Sequence, residues 1–313
     1  MISATNEIRS EIKMASRKCS ICGSEDEKKV FAEADFDPAK WDAFAFASRK
    51  LPEYMHYRLI SCPSCDLVYA NPVPSLDTIA DAYEEASFDS GMEAEYASQT
   101  YARCLPSIKS KLKDLDGAID IGTGDGAFVE KLLSAGFTNV IGVEPSSAPI
   151  VAAKPEIRPL IKQGLFQASD FQKESYQLIT CFQTIEHLYD PITICRDVHT
   201  LLKPGGAIFL ICHNRESVVN RLLGFKSPIF DIEHLQLFSP KSVRKLLEKS
   251  GFQQVEIRPI VNRYPLHYWF KLFPFPSGLK AKLLKKLVRS KLGALMISIT
   301  VGNMAAVGYK KIG

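Results

Sequence analysis

Three groups of residues in this 313-residue chain have the types and spacing that chemistry demands. In the first, Ala118-Ile119-Asp120-Ile121 runs into Gly122-Thr123-Gly124-Asp125-Gly126, and a helical pattern opens at Ala127 with Phe128, Val129, Leu132 and Leu133. An apolar strand ending in an acid, a turn nearly without side chains and an immediate helix bring bare backbone up to a nucleotide-like ligand. Roughly twenty residues later, Val140-Ile141-Gly142-Val143 ends in Glu144-Pro145, where the acid is placed to take both hydroxyls of a ribose. The glycines alone also satisfy a looser dinucleotide fingerprint. Asp120 weighs against that reading, because a buried carboxylate there repels a pyrophosphate and suits a cationic ligand, directly or through water.

The second group is histidine. His187 closes Phe182-Gln183-Thr184-Ile185-Glu186-His187, just past the end of an apolar run, where ligands bind in open α/β sheets. His234 lies in Asp231-Ile232-Glu233-His234-Leu235. An imidazole titrates near neutrality, so either is a candidate base or substrate contact. His213 follows the fifth strand and also has a route to the pocket, whereas His56, His199 and His267 read as structural or exposed.

The third group is Cys19-Ser20-Ile21-Cys22 with Cys62-Pro63-Ser64-Cys65. Two tight turns of this spacing aim four thiolates at one tetrahedral ion, so a structural Zn²⁺ is expected on Cys19, Cys22, Cys62 and Cys65. A redox role for such pairs needs a thioredoxin-like βαβ context that is absent here. The long stretch between the pairs, with Trp41 and Phe44, reads as an insertion in a small ribbon.

These groups need elements to hold them. Residues 1–72 read as a zinc-ribbon-like segment with short strands flanking the second cysteine pair. Asn71-Pro72-Val73-Pro74-Ser75 punctuates the chain, and 73–115 reads as a helical linker or cap with a break near Pro106. Its Tyr83, Phe88, Tyr96 and Tyr101 either cover a cleft or fill a core. From 116 to 313 strands and helices alternate, with strands near 117–121, 139–143, 160–164, 176–181, 206–212, 254–261 and 302–310 and a helix near 240–250. The fold class is therefore α/β, a Rossmann-like doubly wound sheet of seven strands that closes in a reversed hairpin. A basic insertion occupies about 263–300.

Residues 117–260 and 302–310 resemble a class I S-adenosylmethionine-dependent methyltransferase. The whole chain resembles the bacterial small-molecule enzymes of that class that carry an N-terminal cysteine ribbon and modify sugars, polysaccharides or antibiotics. The resemblance implies S-adenosyl-L-methionine as cofactor, held by Asp120, Gly122, Thr123, Gly124 and Gly126, by Glu144 at the ribose and Pro145 beside the adenine, and by Phe182 and Gln183 at the methionine end. The family often has an acid near the adenine amine after the third strand. This sequence has Gly164-Leu165-Phe166 there, so backbone groups and apolar contact from Leu165 and Phe166 are expected to serve. Glu186-His187 matches the family's recurring pair. In the ubiquinone-pathway O-methyltransferases a Glu-x-x-Glu-His cluster binds a divalent ion; here its first position is Gln183, a weaker ligand for a hard cation, and no active-site metal is expected. The implied activity is O-methylation of a sugar, glycan precursor or related metabolite. An rRNA base methyltransferase, a class that also joins a zinc module to this fold, and a non-catalytic cofactor-binding scaffold are the alternatives.

Composition adds to this. At 46% hydrophobic and 24% charged residues, the chain is of soluble globular type. The first residues carry charges throughout and lack an apolar secretion-signal core, so a cytoplasmic protein with reduced thiols is expected. The net charge of +4 hides an asymmetry, since every charged residue after Glu256 is basic, from Arg258 to Lys311. Within the insertion, Leu279, Leu283 and Leu287 share a helical face while lysines and Arg289 take the others. Three readings follow for 278–292: peripheral contact with the inner membrane face, a lid over an anionic or lipid-linked small-molecule substrate, or an ordinary surface helix. DNA is not expected as a partner. RNA is disfavoured, because the ribbon is not notably basic and has no aromatics interleaved with charge.

Overall fold

A computed structural model describes residues 14–25, 29–37, 54–84, 91–272 and 277–312; Trp41, Phe44, Phe88, Phe273 and Phe275 lie outside them. The main sheet has seven strands, β6 (Asp116–Ile121), β7 (Thr138–Glu144), β8 (Ile161–Gln163), β9 (Tyr176–Phe182), β10 (Leu202–His213), β12 (Gln253–Pro259) and β15 (Asn303–Tyr309). Their order is β12-β15-β10-β9-β6-β7-β8, with β6 to β10 parallel and β15 antiparallel to both its neighbours. The seven-stranded α/β sheet and its reversed closing strand agree with the sequence reading. Alternation along β6, β9 and β10 sends Ile119, Ile179, Ile208 and Leu210 to one face and Ala118, Leu178, Phe209 and Ile211 to the other. The first face is covered by Leu246 and Leu247 of α8 (Pro240–Lys249), the second by Phe128, Val129 and Leu132 of α4 (Ala127–Ser134). Burial on both faces explains why these strands are apolar throughout.

The N-terminal segment forms a smaller sheet of β2 (Lys29–Ala32), β3 (Leu59–Ser61) and β4 (Val68–Ala70). Its fourth strand, β11 (Gln236–Leu237), comes from a distant part of the sequence and pairs antiparallel with β4. The sequence reading did not foresee this, because two residues carry no periodicity. A further short pairing joins β1 (Met14–Ala15) to β5 (Val73–Pro74). Three helices follow, α1 (Leu76–Glu84), α2 (Gly91–Ala102) and α3 (Leu105–Lys109), with Pro106 in the first turn of α3 as the expected break implied.

Two groups of polar contacts tie the small sheet to loops of the main domain. The Arg17 guanidinium donates to the carbonyls of Ala70 (2.9 Å), Tyr189 (2.9 Å) and Leu235 (2.8 Å) and to Oε1 of Gln236 (2.7 Å). It also lies between the rings of Tyr69 and Tyr189, 5.6 and 5.7 Å from their centroids. Burial lowers its pKa to about 10, so it stays charged at neutral pH. Asp66, on the second cysteine turn, accepts from Ser239 (2.5 Å) and pairs with Arg215 (2.6 Å). Ser239 is also the N-cap of α8.

The insertion contains a hairpin that sequence reading missed, β13 (Asn262–Pro265) with β14 (Met296–Ile299). Between them lie α9 (Leu266–Leu272) and α10 (Ser277–Val288). Trp269 Nε1 donates to the Ile297 carbonyl (3.0 Å) and ties α9 back onto the hairpin. Among the described residues no helix is long and apolar enough to cross a membrane.

Replacing Arg17 by Met keeps the apolar stem but leaves three buried carbonyls without their charged donor. We expect a loss of about 3 kcal/mol or more, read as a lower denaturation midpoint. A midpoint equal to that of the parent chain would contradict the role given to Arg17.

Candidate active site

A cavity of about 1020 Å³ opens at the carboxyl ends of β6, β7, β9 and β10. One end is the turn after β6. Gly122 and Gly124 have φ of +73° and +60°, and a Cβ on Gly122 would stand 2.3 Å from Oγ1 of Thr184, so no other residue fits the first position. At Gly124 the Cβ direction is open space. Gly122 and Thr123 both donate their backbone N–H to the Val143 carbonyl, pinning the turn to β7. Gly126 does not line the cavity; it begins α4 with φ +76°, and a Cβ there would meet Ile157 at 2.4 Å.

The two acids expected at this end are both present in the wall. Asp120 is buried, with Thr123 Oγ1 donating to one oxygen (2.7 Å) and Thr180 Oγ1 to the other (2.6 Å). Glu144 accepts from the backbone of Gly124 (2.9 Å) and Ser146 (3.0 Å). Burial pushes Asp120 up to about 6 and Glu144 up to about 7, against the pull of these donors. Pro145, Leu165, Phe166, Phe182 and Gln183 also line the cavity. Phe166 stacks on Phe171, and Phe182 sits edge-on to Phe128, Tyr101 and Phe209. Gln183 has the unusual φ of +50°, and its side-chain Nε2 is buried without a hydrogen-bond partner. A buried, unpaired donor in a cavity wall is a place for a ligand's acceptor.

The other end gathers the histidines. His187 Nδ1 lies 2.8 Å from the Tyr83 hydroxyl and 3.5 Å from Oε2 of Glu233. The rings of His187 and His234 are 4.9 Å apart, those of His234 and His213 5.2 Å. His234 Nδ1 donates to the Ile229 carbonyl (2.9 Å), and His213 Nδ1 faces Asn303 Oδ1 (2.9 Å). Burial, reinforced by neighbouring His234, lowers the His213 pKa to about 3. Glu186 does not line the cavity. It is fully buried, accepts from the His213 N–H (2.7 Å), and its own carbonyl takes the N–H groups of Leu235 and Gln236. His199 packs on Phe252, His267 bonds the Gly293 carbonyl, and His56 is buried against Phe225 and Phe230.

Sequence reasoning did not assign site roles to Glu233, Asp231, Asn303, Trp269 or Lys271, all of which line the cavity. One signal was available. Leu76, Ile79, Ala80 and Tyr83 recur at helical spacing and all face the cavity, so α1 is a wall of the site. Tyr101 lines it too, whereas Tyr96 packs on Tyr264.

The four cysteines come together away from this cavity. Sγ of Cys19 is 3.4 Å from that of Cys65, and Sγ of Cys22 is 3.4 Å from that of Cys62. That is far from a disulfide bond and near the edge of roughly 3.8 Å expected for a tetrahedron of Zn–S bonds. The cluster is thus able to hold a metal ion.

A seven-stranded α/β sheet with a glycine turn and ribose-type acid at its strand tips defines the S-adenosylmethionine-dependent methyltransferases of class I. The chain belongs to this family: residues 88–257, more than half of it, match the family model described as "Methyltransferase domain". It is similar to a ubiquinone biosynthesis O-methyltransferase of Aliivibrio fischeri, 24% identical over 166 residues that make up 47% of this chain and 70% of the other. A protein of the same name from Pseudomonas aeruginosa is 32% identical over 103 residues, 31% of this chain and 44% of that one. Among solved structures, a SAM-dependent methyltransferase from Archaeoglobus fulgidus is 18% identical, with 75% of this chain and all of the other covered at a TM-score of 0.48. The protein is an S-adenosylmethionine-dependent methyltransferase.

The raised pKa of Glu144 has a consequence for stability. A carboxyl with a folded-state pKa above its usual 4.5 holds its proton more tightly when folded, so its ionisation costs stability as pH rises through about 7. Between pH 5 and 8 the ligand-free protein is expected to lose on the order of 3 kcal/mol from this group alone. The Glu144→Gln chain should show a visibly shallower fall in thermal midpoint over that range. Parallel curves for the two chains would refute the assignment.

Proposed function

We propose that the enzyme methylates a hydroxyl oxygen of a small, largely neutral polyhydroxylated acceptor, a sugar or glycan precursor or a related metabolite. The observation that carries this reading is the cavity's polarity: a bare glycine turn at one end, a histidine cluster at the other, and apolar and aromatic walls between them. The cofactor fits the first end. Gly122 and Gly124 bring backbone to it, Glu144 offers oxygens to ribose hydroxyls, Asp120 supplies negative charge, and Gln183 has an amide without a partner. When bound there, S-adenosyl-L-methionine supplies an electrophilic methyl group on a cationic sulfur. Thr123, Pro145, Leu165, Phe166 and Phe182 complete that half, and Gly126 serves it by setting the start of α4.

At the far end the acceptor oxygen is held and loses its proton at the His187–His234 pair. Tyr83 fixes the His187 ring, and the Ile229 carbonyl fixes that of His234. The walls exclude water, and the two loops set the approach of the oxygen. The charged lining is Asp120, Asp125, Glu144, Asp190, Asp231 and Glu233 against Lys271, itself paired with Glu93 at 2.8 Å. Such a cavity does not attract a polyanion, which weighs against RNA and keeps any anionic carrier at the rim. There the basic insertion, about 263–300, supplies Tyr264, Tyr268 and Trp269 to the wall and leaves Leu283, Val288, Leu292 and Leu295 exposed. That combination supports peripheral contact with an anionic or lipid-linked substrate's surroundings through 278–292. In this reading residues 1–72 form a Zn²⁺-stabilised ribbon, 73–115 cap the site, and 116–313 carry the chemistry.

Labelled methyl donor should pass into a pool of hydroxylated small molecules and not into total RNA. His187→Asn and His234→Asn should each slow that transfer about 100-fold or more while leaving S-adenosylhomocysteine affinity intact by calorimetry. Label in RNA alone, or undiminished turnover in both variants, would overturn the proposal.

A further inference from the structure

We infer that Asn262 is a specificity-determining residue, whose carboxamide takes a hydroxyl of the acceptor other than the one that is methylated. Asn262 lines the cavity and is 3% exposed, and its Oδ1 has no hydrogen-bond partner. A buried carbonyl left without a donor destabilises the ligand-free protein. The backbone around it is nevertheless fixed on three sides. Asn262 stands opposite Ile299 in the β13–β14 hairpin, the Ile260 N–H donates to the Asn303 carbonyl (2.9 Å), and the Arg263 N–H donates to Oγ1 of Thr100 on α2 (3.4 Å). The carboxamide therefore keeps its place in the wall while lacking a partner, as a group preorganised for a ligand does. The neighbouring Asn303 also lines the cavity, but its Oδ1 is engaged with His213 Nδ1 (2.9 Å). From His213 the row of rings runs to His234 and on to His187. Asn262 is thus on the insertion's side of the cavity, beside the end of that row remote from His187, and the group it meets is not the oxygen held at the His187–His234 pair.

The chemistry of the group fixes the class of ligand. A carboxamide has one accepting and one donating end, and a turn about its Cβ–Cγ bond brings either to the cavity. A hydroxyl answers both, since it donates one hydrogen bond and accepts others. The carboxamide carries no charge, so it calls for neither an ammonium nor a phosphate. Tyr264, Tyr268 and Trp269 line the same wall, with the Tyr264 ring centroid 4.8 and 5.1 Å from the other two, and give an apolar face beside it. Aromatic walls with a few placed polar groups orient a ligand and set its specificity. All four residues lie outside the family match of 88–257, so the insertion builds this subsite. That the partner is an acceptor hydroxyl rests on the reaction proposed above; that Asn262 is a ligand contact does not.

The test compares the full parent chain with Asn262→Leu, nearly the same shape without polar atoms, and Asn262→Asp, which keeps an accepting oxygen. With no acceptor added, Asn262→Leu should melt at the parent's temperature or higher, because an unmet buried carbonyl has been removed. A lower midpoint would mark a structural carboxamide and overturn the inference. Transfer of labelled methyl from S-adenosylmethionine into a dilute, deproteinised metabolite extract should fall about tenfold to 100-fold in Asn262→Leu and recover as the extract is concentrated. In Asn262→Asp it should stay within about tenfold of the parent. S-adenosylhomocysteine affinity by calorimetry should be equal in all three. Undiminished transfer in Asn262→Leu, or a loss accompanied by weaker S-adenosylhomocysteine binding, would overturn the inference. Periodate, quenched before the assay, cleaves neighbouring diols in the extract. Transfer by the parent chain that survives this treatment would contradict the polyhydroxylated acceptor and leave Asn262 to be decided by its variants. If the parent chain labels nothing in the extract, the proposed reaction fails and the melting comparison decides for Asn262.

Discussion

The histidine-lined half of the cavity depends on a buried cation. A guanidinium taken out of water must find acceptors for its donors, and Arg17 finds them in the carbonyls of Ala70, Tyr189 and Leu235 and the amide of Gln236. Two of these partners lie beside histidines of the cavity: Tyr189 is two residues after His187, and Leu235 is next to His234. The pairing of β11 with β4 adds a second constraint on the same loop, and Asp66 with Arg215 and Ser239 adds a third. The cysteine-bearing segment is therefore part of the frame of this cavity. Among the described residues its strands are few and short, and the four clustered thiols at its far edge are placed to hold a metal ion.

The two ends of the cavity solve opposite problems. At the glycine-turn end burial shifts the carboxyls of Asp120 and Glu144 toward neutrality, against the pull of the hydrogen bonds they accept. At the histidine end one imidazole is held uncharged. Burial does this for His213, and hydrogen bonds from the Nδ1 atoms of His234 and His213 to the Ile229 carbonyl and to Asn303 Oδ1 orient the two rings. Glu186 joins the two loops, with its carboxylate on the N–H of His213 and its carbonyl on Leu235 and Gln236.

Much of the fold was visible in the amino-acid order because the buried strands are continuous apolar runs and the glycine turn punctuates them. The strands, the helix at 240 and the cofactor-end acids could all be placed from periodicity and spacing. What escaped were interactions between residues far apart in sequence. Two-residue β11 has no pattern of its own, and Arg17 looks like any surface arginine until its four acceptors are seen around it. Glu233 is one acid among many until the loop after Ile229 turns it toward His187. The hairpin β13–β14 hid in segments of four residues each, separated by two helices. Gly126 carries the reverse lesson. Its place in the glycine motif suggested a ligand contact, yet its missing side chain makes room for Ile157 and lets α4 begin.

Hydrogen exchange on a chain with Cys62→Ser and Cys65→Ser tests most directly whether the N-terminal segment frames the histidine-lined half of the cavity. Protection should fall in 185–189 and 229–237, the loops tied to that segment, while the amides of 122–126 keep theirs. Unchanged protection in both loops, or a collapse confined to the glycine turn, would contradict the account.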